Sequence, residues 1–128
     1  MNWKPEEIND DNNPNVLKRP GRDNVLTISD VKPSFPGGDG AMSTYLNKNI
    51  KYPTMAKEDG IKGTVYVKFV VEKDGTVDDV AISKGVHPLL DAEAARVVKA
   101  MPKWAAGKMA GQAVATQFTL PVKFQLVD

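Results

Sequence analysis

The hairpin pattern between Gly63 and Lys84, with an alternating first arm, constrains this chain more than any other feature. Val65, Val67, Phe69 and Val71 alternate with Thr64, Tyr66, Lys68 and Glu72, which puts the apolar set on one face of a strand. Asp74-Gly75 then supplies a tight turn, and Val77, Val80 and Ile82 resume the pattern as a second strand. Burying the four apolar side chains of the first arm contributes about 6 to 12 kcal/mol before conformational entropy is charged. A lone hairpin cannot bury them, so helices or further strands must close over that face.

The remaining pattern supplies the cover. Ala41, Met42, Tyr45, Leu46 and Ile50 recur at helical spacing, and Tyr52-Pro53 ends that helix. Met55-Ala56 begin a short turn that runs to Gly60. Pro88 suits the first turn of a second helix, in which Leu90, Ala94, Val97, Val98 and Met101 form one stripe before Pro102. Trp104 reads as a large apolar lid. Gly107, Lys108 and Gly111 form a loop into a last strand, where Phe118, Leu120, Val122, Phe124 and Leu126 alternate with polar residues and Pro121. The expected fold is α+β: a two-layer sandwich with two helices on one face of a three-stranded antiparallel sheet, strand order second-first-third. The first strand is then central, and the last has a free edge.

The length of 128 residues fits one domain with a tail. Residues 1–34 are expected to be a flexible polar, proline-rich linker or arm, with a short strand at 25–31 built on Val25, Leu26, Ile28 and Val31. The domain proper is expected at 35–128. The net charge of +1 offers no electrostatic argument for nucleic acid or an anionic membrane. With no cysteine, thiolate chemistry and sulfur-based zinc sites are excluded. No apolar run approaches a membrane span.

Catalytic constellations are weak. His87 is the sole histidine and precedes Pro88, as a turn or cap residue does. Asp78-Asp79 are consecutive strand residues that should point to opposite faces, and they read as solvated hairpin charges. The Gly37-Gly38 entry to the first helix does not match a phosphate-binding fingerprint. An enzyme is not expected, nor is a cofactor or a metal.

Five motifs in order carry a resemblance: FPGG at 35–38, NIKYP at 49–53, GTVYVKFVVEKDGTVDDV at 63–80, LLDAEAARVVKAMPKW at 89–104 and FTLPVKF at 118–124. Together, from Phe35 to Leu126, they resemble the C-terminal domain of TonB-type energy transducers. The resemblance implies a periplasmic domain anchored to the inner membrane in the full-length protein, where an N-terminal membrane helix engages the ExbB/ExbD motor. It also implies that the domain binds the TonB box of TonB-dependent outer-membrane transporters by strand addition and transmits proton-motive force for uptake of siderophores, haem, cobalamin or glycans. Neither the membrane helix nor a long proline-rich spacer is present in this sequence. Two other readings stay open: a peptide-binding or self-associating module of an envelope sensor or membrane-peptidase protein, and a small enzyme.

The free edge of the last strand is the expected partner surface, because unpaired N–H and C=O groups are either protected or used. Pro121 has no N–H and should face outward, and by the same parity Ala113, Ala115, Gln117 and Thr119 face outward with it. A bound peptide is expected along 113–119. Strand exchange between free edges would also allow a homodimer. Tyr52, Pro53, Gly63 and Trp104 fall on family motifs and read as residues that keep the fold.

Overall fold

A computed structural model describes residues 13–126. Residues 1–12, part of the expected arm, lie outside the described residues. In chain order the elements are β1 (Val16–Leu17), β2 (Val25–Leu26), α1 (Asp39–Asn49), α2 (Thr54–Glu58), β3 (Gly63–Val71), β4 (Val77–Lys84), α3 (Pro88–Lys99), β5 (Gly107–Met109), β6 (Gln112–Val114) and β7 (Thr116–Phe124).

β3 is central, antiparallel to β4 on one side and to β7 on the other. Its alternating set Val65, Val67, Phe69 and Val71 is fully buried, with Leu120, Val122 and Phe124 of β7 beside it. Leu90, Ala94, Val97 and Val98 of α3 close this layer, and Ala41, Met42, Tyr45 and Leu46 of α1, with Ile50 just after it, pack at its margin. His87 caps α3, its Nδ1 accepting the Leu89 N–H at 3.1 Å, and Pro88 occupies the first helical turn, where no N–H is needed.

The β3–β4 connection explains why glycine stands at 75. Gly75 has φ 91°, and a Cβ there would lie 2.2 Å from the Trp104 carbonyl oxygen. The turn is docked on the backbone of Trp104, whose N–H donates to the Gly75 carbonyl at 2.8 Å. The Trp104 ring packs edge-on against Phe35, Phe69 and Phe118. Its indole N–H is buried without a hydrogen-bond acceptor.

Two features correct the expected sheet. It is five-stranded and mixed, in the order β1-β2-β7-β3-β4, rather than three-stranded and antiparallel. β2 runs parallel to β7 beside Thr116, and β1 pairs antiparallel with β2 outside it. The cause is local: Val25 and Leu26 are adjacent, so they point to opposite faces of the sheet, and both are buried there. The expected loop at 107–111 is instead a small hairpin, β5–β6, with Ala110 and Gly111 both at positive φ, as a two-residue hairpin turn requires. Its Met109 and Val114 form an apolar cluster with Leu26.

Candidate partner-binding edge

Backbone parity along β7 follows from one hydrogen bond. The Leu26 N–H donates to the Ala115 carbonyl at 2.9 Å, so Ala115 faces away from β3. The β3–β7 register runs without a break from Gly63↔Phe124 to Val71↔Thr116, so outward-facing groups recur at Gln117, Thr119, Pro121 and Lys123. Phe118, Leu120, Val122 and Phe124 bond inward and turn their side chains to the core. Pro121 lies opposite Tyr66 and is exposed, with no N–H to lose to the ladder.

The expected site residues are not all brought together. Ala113 is in β6, opposite Lys108 of β5, and is not on the β7 edge. Ala115 is on that edge, but β2 has its carbonyl. The edge is therefore partly covered at its N-terminal end, and past Gln117 no strand of the described residues pairs with it. After β2 the chain diverges, forming bridges at Val31↔Lys108 and Ser34↔Ala105. The divergence leaves a groove of about 380 Å³ between residues 27–33 and Thr116–Thr119, with Ile28, Lys32 and Phe118 in its wall.

The expected structural residues lie elsewhere. Tyr52 stacks edge-on against Phe124, and its hydroxyl donates to the Ile61 carbonyl. Pro53 immediately precedes α2. Gly63 opens β3 at φ 149°, where a Cβ would crowd the Val86 side chain at 3.0 Å. Trp104 belongs to the core described above.

An ion cluster that sequence reasoning missed fixes the covering segment. Arg19 makes paired hydrogen bonds to Glu72 at 2.6 and 2.8 Å and reaches Asp79 at 3.1 Å. Arg22 bonds Asp78 and Asp79, each at 2.9 Å. Asp78 and Asp79, expected on opposite faces as solvated charges, converge on Arg22. A register shift in the β3–β4 pairing and the positive φ of Asp79, 49°, break the alternation. Its hydrogen bond from Arg22, with a further one from Arg19, holds the Asp79 carboxyl below the usual carboxylate range, against the opposing effect of burial. The Arg19 side chain is only 10% exposed, and its bond to Glu72 is the main cause that raises its pKa further. In the sequence Arg19 and Arg22 stand fifty or more residues from Glu72, Asp78 and Asp79, with no local pattern that pairs them.

The chemistry offered by this region is backbone pairing and charge. A pocket of about 720 Å³ is lined by several of the same charged groups, Arg19, Arg22, Glu72 and Asp78. Among the described residues no group of His, Asp and Glu could hold a metal ion. No helix among them is long and apolar enough to cross a membrane.

A family model, described as the C-terminal of Gram-negative bacterial TonB protein, matches residues 48–126. Two solution structures of the Helicobacter pylori TonB C-terminal domain are similar. The shorter segment has a TM-score of 0.53 at 24% identity, covering 67% of this chain and 90% of that one. The longer has a TM-score of 0.52 at 24% identity, covering 68% and 78%. No curated protein matches the chain.

Proposed function

The chain belongs to the family of C-terminal domains of Gram-negative TonB proteins, and from that premise we propose that it is the periplasmic, partner-gripping domain of an energy transducer. In this reading the domain takes the TonB box of an outer-membrane transporter as an added strand on β7. The full-length protein, anchored in the inner membrane and driven by ExbB/ExbD, passes on the proton-motive force for nutrient uptake. The observation that carries the reading is the outward edge of β7 past Gln117, which has no strand of the described residues beside it. Thr119 and Lys123 present complete donor-acceptor pairs there, and Pro121 presents a carbonyl. Gln117 and Ala115 extend this register toward β2. Ala113, held in the β5–β6 hairpin, stands outside it.

The test is titration with peptides copied from the N-termini of outer-membrane transporters of the same genome. Thr119→Pro removes one outward donor and leaves the ladder to β3 intact. It should weaken binding by about 0.5 to 1.5 kcal/mol, the net worth of one hydrogen bond, with the thermal midpoint nearly unchanged. Equal affinity of parent and variant would remove β7 as the docking strand.

A further inference from the structure

At its N-terminal end, the edge assigned to the partner already holds a strand. Where β2 meets β7, it supplies an N–H to the Ala115 carbonyl and two adjacent aliphatic side chains, one for each face of the sheet. Val25 fills a site made with Val70 and Ala115 on the face away from the helices. Leu26 fills a second site made with Met109 and Val114. An incoming strand would have to supply the same three things at this point on the edge.

We propose that β2 is a resident competitor for the partner strand. A segment with two adjacent branched aliphatic residues, running parallel to β7, takes the same two sites when β2 leaves, and the Arg19–Arg22 ion cluster is the latch that keeps β2 in place. The proposal rests on the strand-addition reading and adds to it the side-chain chemistry of the ligand and a control on its access.

The latch is needed because β2 is two residues long and has a single bridge to β7. Such a contact is marginal by itself. Arg19 and Arg22 tie the chain just before β2 to Glu72, Asp78 and Asp79 across the β3–β4 hairpin. Pairing of β2 is intramolecular in any case, and the tether raises its effective concentration at the edge. A partner then binds with an apparent affinity reduced by the fraction of molecules in which β2 is out.

The experiment compares the parent chain with the Arg19→Ala/Arg22→Ala double variant, using two probes. One is a peptide copying residues 22–29 of this chain, and the other is the set of transporter N-terminal peptides. Amide exchange at Leu26 reports whether β2 has left, and chemical-shift changes at Ala115, Val70 and Met109 report which sites a peptide fills. The expected result is exchange at Leu26 about tenfold faster in the double variant. Both probes should bind the variant about tenfold more tightly than the parent, with shifts at all three positions. If Leu26 exchange is unchanged, the latch is wrong. If β2 is released and the 22–29 peptide still binds no better than to the parent, competition is wrong. If the 22–29 peptide behaves as expected while transporter peptides bind neither protein, the competitor stands and the strand-addition reading falls. Should the double variant fail to fold, Arg22→Ala alone, at a more exposed arginine, gives the same comparison with a change of about threefold.

Discussion

The two ways in which chain is laid onto the β3–β7 pair rest on different physics. On the helix side, one continuous apolar cluster from Phe35 to Phe124 draws its buried side chains from α2, β3, α3, β7 and connecting loops. On the arm side, two aliphatic residues sit in two small clusters, and a few backbone bonds and an ion cluster make the rest of the attachment. A cluster shared among many elements makes the helix layer and the central strands open together. The arm can open as its own unit.

The largest effect should come from the helix side. Phe69→Ala removes a fully buried ring that meets both Trp104 and Phe118. It should cost about 3 to 5 kcal/mol in denaturant unfolding, with every amide of the sheet exchanging faster. Leu26→Ala comes next at about 2 to 3 kcal/mol, toward the lower end for such truncations because only a small cluster surrounds it. Its exchange signature should be confined to β1, β2 and the β5–β6 hairpin. If Leu26→Ala instead accelerates exchange at Val67 as much as Phe69→Ala does, the two sides form one cooperative unit and the contrast collapses.

Smaller effects separate the charges. Arg19→Ala should cost about 1 to 2 kcal/mol, since it leaves the largely buried Glu72 without its paired donor. Arg22→Ala, at a more exposed position, should cost under about 1 kcal/mol. Acid should loosen the arm, alongside its effect on the Glu93–Arg96 pair of α3. The Asp79 pKa is lower in the folded protein than the unfolded value of about 3.9. Its contribution is therefore complete above that value and is lost as pH falls from about 4 through the lower folded pKa. Chemical denaturation repeated at pH 6 and pH 3 should show this loss in the parent, and a smaller loss in the Arg19→Ala/Arg22→Ala double variant.

The same contrast explains what could be read from the residues alone. β3, β4, α1 and α3 carry repeated periods, and each added repeat reinforces the same face, so the helix layer and the central position of β3 were legible. β1 is two residues long, too short for any period to form, and of the strand expected at 25–31 only Val25–Leu26 form β2. Arg19 and Glu72 are far apart in sequence, with nothing local to pair them. At Ala113 the difficulty was the reverse. The stretch from Gln112 to Phe124 reads as one extended run, and the break at Ala115, where the chain leaves β6 and enters β7, leaves no mark in hydropathy. The outward parity at 115, 117, 119 and 121 was accessible because proline removes a donor at one known place.

The unbroken register between β3 and β7 also has a mechanical side. Antiparallel hydrogen bonds stand perpendicular to the strands, so a pull along the axis of β7 strains the whole ladder, from Gly63↔Phe124 to Val71↔Thr116, at the same moment. Nothing yields until the entire row shears. β4 is joined to β3 through two register shifts, which divide its ladder into shorter segments that a pull along β4 would load separately. Of the two long strands beside β3, β7 is the one whose hydrogen bonds would share an axial load along their whole length.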